Sequence, residues 1–279
     1  MDNFVHVVLA SDSATSAGLA VAGYSAIKHT SRPVVLWVIQ EGLDSETISA
    51  LRAFWSSAAE VHMLSMKNLP WWWATEKIPL LSWARIQLAE LLPPDVMRCI
   101  YIDTDTLVGR DLVELTELPL EGKQMAMVVT DRMHPNDIEY VRSIGTDPDC
   151  WYNAGVALID LEAWRLGGVT DGLLRCKKSM PADLWFQDQD LLNKYFLGKV
   201  RTIDPSWNRR DAAFSPEGQI LHLAGKPKPW ETSDDSGLAG LRAWHEVYRL
   251  WGRAPSPRRQ NKIKLRTAAA VRRFLALIR

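Results

Sequence analysis

The chain has 279 residues, 47% of them hydrophobic, with 33 basic and 33 acidic side chains in formal balance. This suffices for one large α/β domain with a tail, and no stretch approaches the ~20 uninterrupted apolar residues of a membrane span. The charge is uneven: from Arg253 onward there are nine Lys/Arg and no Asp/Glu, leaving 24 basic against 33 acidic residues in the body, a net of −9. An acidic body with a basic tail excludes a nucleic-acid surface spread over the fold and points to a local anionic partner for the tail. Cys99, Cys150 and Cys176 are odd in number and form no CxxC pair. Buried thiols in a reduced, cytoplasmic compartment are expected. Residues 4–10 are too short for a signal peptide and run into Ser11-Asp12-Ser13.

In chain order, residues 4–10 read as a buried strand, 14–29 as a helix, 33–39 as a β-branched strand and 44–55 as a helix. Residues 60–64 and 99–102 read as strands, with a helix over 82–92 stopped by Pro93-Pro94. A strand follows at 124–129. This alternation predicts a mostly parallel sheet covered by helices, in one domain over 1–251, with a basic tail over 252–279. Ligands of such sheets sit beyond the carboxyl ends of the strands. Two strands end there in polar residues, at Ser11-Asp12 and at Asp103-Thr104-Asp105.

Asp103 and Asp105, at spacing two where a strand ends, can converge on one divalent cation, although solvated turn acids give the same pattern. His222, in Leu221-His222-Leu223-Ala224-Gly225-Lys226-Pro227-Lys228-Pro229-Trp230, could complete the shell; the alternative is a satisfied core histidine. Gly225 would let backbone N–H groups approach a phosphate, and Lys228 would supply a point charge. Asn153-Ala154-Gly155 joins a polar amide to an apolar strand through small residues, and Asn153 can hydrogen-bond sugar hydroxyls in both senses. Phe186-Gln187-Asp188-Gln189-Asp190 precedes a helical pattern over 191–196. Acids at a helix start favour the dipole, which leaves the two glutamines unexplained.

The order DxD, NAG, DQD and HxxGxxKPW resembles the retaining glycosyltransferases of family eight, which include lipopolysaccharide α-galactosyl- and α-glucosyltransferases and glycogenin. The resemblance covers roughly residues 4–230 and is closest to the bacterial lipopolysaccharide enzymes. It implies a Rossmann-like GT-A fold and transfer of galactose or glucose from a UDP-hexose to an oligosaccharide or lipid-linked glycan. It further implies Asp103, Asp105 and His222 as ligands to manganese, with magnesium the alternative. Ala10, Asp12, Thr104 and Ala154 fall in the donor-binding set, Asp12 near the uracil. Arg85, Gly225 and Lys228 match the diphosphate contacts, and Asn153 and Asp188 those to the donor sugar. Gln189 matches the residue facing the anomeric carbon opposite the leaving group, and Asp131 an acid near the sugar. Ser13, Ala14 and Thr15 depart from the family pattern after Asp12. A haloacid-dehalogenase-type phosphatase also carries DxD after an apolar strand, but Leu107 stands where its threonine belongs. An inactive nucleotide-sugar-binding protein is the non-enzyme alternative.

In the tail, Val271, Phe274, Leu275 and Ile278 form one helical stripe with arginines around it. Such a helix suits the anionic inner face of a membrane, and packing on the body is the alternative. Trp71-Trp72-Trp73 suggests an aromatic lip at the acceptor site.

Overall fold

The computed structural model describes residues 3–55, 59–67, 69, 80–131, 133–233 and 237–252. The expected tail helix and the Trp71-Trp72-Trp73 lip lie outside them. The chain opens with β1 (Val5–Asp12), α1 (Ser16–His29), β2 (Val34–Glu41), α2 (Ser45–Trp55) and β3 (Ala59–Leu64). After a 3₁₀ segment, Leu80–Gln87, come α3 (Leu88–Leu91), β4 (Arg98–Ile102), β5 (Thr106–Val108), α4 (Val113–Thr116) and β6 (Met125–Val129). Then follow α5 (Pro135–Ser143), β7 (Tyr152–Asp160), α6 (Leu161–Leu166), α7 (Val169–Lys178) and α8 (Asp188–Tyr195). The described chain closes with β8 (Val200–Thr202), β9 (Ile220–His222) and α9 (Ala239–Trp251).

Seven strands form one sheet in the order β3-β2-β1-β4-β7-β6-β8, and β5 pairs with β9 in a separate ribbon. Only β7 runs antiparallel to its neighbours, so the sheet is mixed and mostly parallel, as the alternation predicts. β1 is buried on both faces, which is why it reads as a continuous apolar run. Val5, Val7 and Leu9 pack with Leu19, Ala22 and Ala26 of α1. Val8 faces the other layer, with Trp83, Ile86 and Tyr101. Each of the valine, leucine and isoleucine side chains contributes roughly 1.5–3 kcal/mol on burial. No helix among the described residues is long and apolar enough to cross a membrane.

The helix expected over 82–92 is corrected. Most of it is the tighter 3₁₀ form, and only Leu88–Leu91 is α-helical. Residues 83–89 are buried without a break, so no amphipathic stripe selects the 3.6-residue period. Side-chain ties from Arg85 to Asp103 and from Gln87 to the Lys67 carbonyl bind the segment to its surroundings. The helix expected over 191–196 starts earlier, at Asp188, so both acids of the DQD run lie in its first turn.

Candidate active site

β1 pairs in parallel with β4, Val8 opposite Tyr101, so Asp12 and Asp103 leave the sheet on one rim. The chain travels outward from β1 to β3 and returns to β4 on the other side of β1, and this reversal opens a crevice at the strand ends. A cavity of about 360 Å³ lies there. Backbone ties draw the acidic turn together with two distant segments. The Asp103 N–H donates to the Gly155 carbonyl at 2.8 Å, and the Leu223 N–H to that of Asp105 at 2.9 Å. In the ribbon, His222 stands opposite Thr106.

His222 Nε2 thereby lies 3.2 Å from Asp105 Oδ1 and 3.7 Å from Asp103 Oδ2. One ligand atom from each of the three residues falls within 4.8 Å of the others. On the far side of the ring, Nδ1 is 2.9 Å from Asn208 Oδ1 and 3.1 Å from Asn153 Oδ1. Both oxygens only accept, so Nδ1 donates, and Nε2 is the nitrogen turned to the carboxylates. A metal-ligating imidazole needs that orientation, with Nδ1–H held from behind, and two carboxylates with one imidazole suit a divalent cation such as Mn²⁺. Gly155 is required by close approach: a Cβ there would lie 2.1 Å from His222 Cε1.

Two cations border this set. Lys228 Nζ contacts Asp105 Oδ2. Burial pushes the Asp105 carboxyl up, but His222 and Lys228 outweigh it and hold the group below the usual carboxylate range. Arg85 is 6% exposed. Its guanidinium lies 4.1 Å over the Tyr101 ring, donates to Asp103 Oδ1 at 2.9 Å and to the Ala154 carbonyl, and pairs with Asp188. Burial opposes its charge, but Asp188 and Asp103 keep it protonated. Burial pushes the Asp188 carboxyl up to about 6, with Arg85 opposing.

β7 bulges where it meets the site: Met127 of β6 pairs with Ala157 and Val128 with Asn153, so 154–156 have no partner on β6. Such irregularities re-aim side chains beside active sites. Gln187, at φ 62° and ψ −123°, occupies a region that non-glycine residues rarely adopt. It turns the chain into α8, so that Gln189 Oε1 accepts from the Ala154 N–H at 3.1 Å and from Asn153 Nδ2 at 3.2 Å. Asp190 is fully buried, and its Oδ2 accepts from the Tyr140 hydroxyl at 2.8 Å and the Phe186 N–H at 2.9 Å.

Of the expected residues, Ala10, Asp12, Arg85, Asp103, Thr104, Asp105, Asn153, Ala154, Asp188, Gln189, His222 and Lys228 line one cavity. Asp12, expected near the uracil, also accepts through Oδ1 from the N–H groups of Ala14 and Thr15, each at 3.0 Å, and so shapes the loop after β1. Asp131 is exposed, accepts from Arg210 at 3.0 Å and is not part of the cavity wall. Gly225, at φ 102°, is exposed and also stands outside the wall. Sequence reasoning missed Asn208 and Tyr101. Trp207-Asn208 after Asp204-Pro205 was a usable signal, a capped turn ending in a polar amide.

A model of the family described as glycosyl transferase family 8 matches residues 6–234. "Probable galacturonosyltransferase-like 10" of Arabidopsis thaliana is 26% identical over 266 residues, covering 83% of this chain and 72% of that protein. General stress protein A of Bacillus subtilis is 25% identical over 198 residues, covering 63% and 68% respectively. Among solved structures, the galactosyltransferase LgtC in complex with donor and acceptor sugar analogues superposes with a TM-score of 0.74 at 21% identity, over 91% of this chain and 99% of that one. The glycosyltransferase GlyE of Streptococcus pneumoniae TIGR4 gives 0.66 at 19% identity, over 89% and 63%. These likenesses agree on a GT-A-like fold, and the family match leaves no room for the phosphatase alternative. From β1 to the loop after Trp230, the chain belongs to glycosyl transferase family 8.

Proposed function

We propose that this transferase moves a hexose, galactose or glucose, from a UDP-sugar to an oligosaccharide or lipid-linked surface glycan such as lipopolysaccharide, with retention of configuration and with Mn²⁺. The observation that carries the reading is the convergence of Asp103, Asp105 and the Nδ1-protonated His222 beside two cationic side chains. When bound, a divalent cation stabilises charge developing on the leaving diphosphate. Lys228 is within reach of the same charge. Arg85, held on three sides, adds positive potential that need not reorganise during reaction. Asp12 and Ala10 border the cavity where the nucleotide would enter.

Retention requires a covalent intermediate or attack on the leaving-group face. The carboxylate of Asp188 is engaged by Arg85, and Gln189 offers only an amide, a poor nucleophile. Front-face attack therefore fits best, with the leaving phosphate oxygen taking the acceptor proton and the side chains positioning the reactants. Residues 1–251 form the catalytic unit in this reading. The basic tail over 252–279 holds the protein to the anionic inner face of a membrane, where a lipid-linked acceptor resides.

A second donor reading comes from the Arabidopsis relative's name: a UDP-galacturonate would bring a carboxylate into the same cavity. Hydrolysis of UDP-galactose, UDP-glucose, UDP-N-acetylglucosamine and UDP-galacturonate, each with Mn²⁺, Mg²⁺ or EDTA, tests the proposal. Turnover of one neutral hexose donor, lost in EDTA and restored better by Mn²⁺ than by Mg²⁺, is expected; it would also dismiss a binding-only protein. Full activity in EDTA would remove the mechanism. Gln189→Ala should lower turnover by about 10²-fold and spare UDP binding. A sugar covalently attached to Gln189 would overturn the front-face reading.

A further inference from the structure

Asn208 has no role in the preceding scheme, yet it is 3% exposed and touches the back of the candidate cation site. It ends a short turn, Pro205–Asn208, whose start is capped by Asp204 accepting from the Ser206 N–H at 2.8 Å. The next residue is tied to β9 twice: Arg209 N–H donates to the Ile220 carbonyl at 2.9 Å, and its carbonyl accepts from His222 N–H at 2.8 Å. The backbones carrying Asn208 and His222 are thus held in one register.

The direction of each amide follows from a single backbone anchor. Gly155 N–H donates to Asn153 Oδ1 at 3.0 Å, which makes that atom an oxygen. Asn208 Nδ2 lies 2.8 Å from this oxygen and 3.3 Å from the Asn153 carbonyl, so it is a donor to both. Asn208 Oδ1 is then the atom facing His222 Nδ1 at 2.9 Å. Asn153 Nδ2, on the other side, donates to Gln189 Oε1 at 3.2 Å. An unbroken chain of hydrogen bonds thereby runs from His222 through Asn208 and Asn153 to Gln189, in a setting where a misdirected amide leaves a buried polar group unpaired.

We propose that Asn208 is a positioning residue that aims the His222 imidazole at Asp103 and Asp105 and, through Asn153, holds the Gln189 amide, so that the cation site and the sugar-facing glutamine are oriented as one unit. This rests on reading Asp103, Asp105 and His222 as a divalent cation site. Asn208→Ala removes both functions, whereas Asn208→Asp keeps an oxygen for His222 Nδ1–H but cannot donate to Asn153 Oδ1. In the aspartate variant a carboxylate oxygen faces Asn153 Oδ1, which the Gly155 N–H holds in place, and the repulsion displaces Asn153 from Gln189.

The test uses the full chain and three readouts. Free Mn²⁺, followed by electron paramagnetic resonance during titration, should show affinity reduced about 10–100-fold in Asn208→Ala, the effect of losing an outer partner of a metal-bound histidine. Asn208→Asp should bind Mn²⁺ close to the wild-type level yet lose kcat with little change in donor KM. This split would not arise from general destabilisation. The aspartate variant preserves side-chain volume and remains informative if the alanine variant does not fold. Nitrogen-15 imidazole spectra of the metal-free protein should show Nδ1 protonated in the wild type, with a fraction lacking the Nδ1 proton appearing in Asn208→Ala. Unchanged Mn²⁺ affinity in Asn208→Ala, or a wild-type His222 without a proton on Nδ1, overturns the proposal. Equal Mn²⁺ uptake by wild type and His222→Ala would instead reject the cation reading, and the nitrogen-15 measurement would still decide the role of Asn208.

Discussion

Asp105 and Asp188 line the same cavity and are almost equally buried, at 5% and 6% exposure. Their carboxyls nevertheless move in opposite directions. Asp105 lies between His222 and Lys228, whose attraction exceeds the cost of burial. Asp188 has Arg85, but that guanidinium also serves Asp103 and the Ala154 carbonyl, and Asp103 and Asp190 add like charge. The cation-side half of the cavity is therefore built to keep its carboxylate ionised, as a ligand must be. The sugar-side half holds a carboxyl that burial pushes up to about 6, in a pair whose part is to fix Arg85. Equal burial does not imply equal charge; the partners decide it.

Substitutions should separate the two halves. The largest effect is expected for Asp105→Asn, which keeps the shape but removes ligand charge: loss of Mn²⁺ binding and a fall in kcat of about 10³-fold, several kcal/mol of lost charge stabilisation. Retained Mn²⁺ affinity would erase the distinction between the halves. Next is Asp188→Ala, which strands a buried arginine. It should cost about 3 kcal/mol of stability, lowering Tm by on the order of 6–12 °C, while Asp188→Asn costs less. Calorimetry compares both variants with the wild type, and an unchanged Tm in both would show that the ion pair is not structural.

Asp190 sharpens the comparison outside the cation site. It accepts from Tyr140 and Phe186, yet burial pushes its carboxyl up to about 6. A raised carboxyl favours the protonated folded state. Its contribution to stability is present below the unfolded value near ~4 and is lost as pH rises through about 6. Urea unfolding at pH 4.5 and pH 7 should show a smaller loss of stability with rising pH in Asp190→Asn than in the wild type. Identical profiles would mean that another group sets the acid behaviour. The smallest effect on chemistry is expected from truncation after Trp251, because all the cavity-lining residues precede it. Hydrolysis should persist while co-sedimentation with anionic vesicles at low salt is lost. Loss of hydrolysis would show that the tail packs on the body, and equal sedimentation would reject the membrane role.

Much of this arrangement was legible one-dimensionally. Apolar runs ending in Asp12 and Asp103 announced the rim, because a buried parallel strand and its polar exit are local patterns. The spacing of Asp103 and Asp105, the small residues of Asn153-Ala154-Gly155 and the isolated His222 named the members of the cavity. What could not be read was how they meet. The 3₁₀ form of Leu80–Gln87 is set by all-round burial and by Arg85 reaching Asp103, eighteen positions away. The family resemblance put Asp131 near the sugar, yet it pairs with Arg210 outside the cavity wall. The orientation of His222 depends on Asn153 and Asn208, 69 and 14 positions away, joined only when β9 pairs with β5 and β7 bulges beside β6. Local sequence carries residue types and the periods of single elements. Hydrogen-bond direction and the balance between burial and charge belong to contacts between elements, so the fold alone decided them.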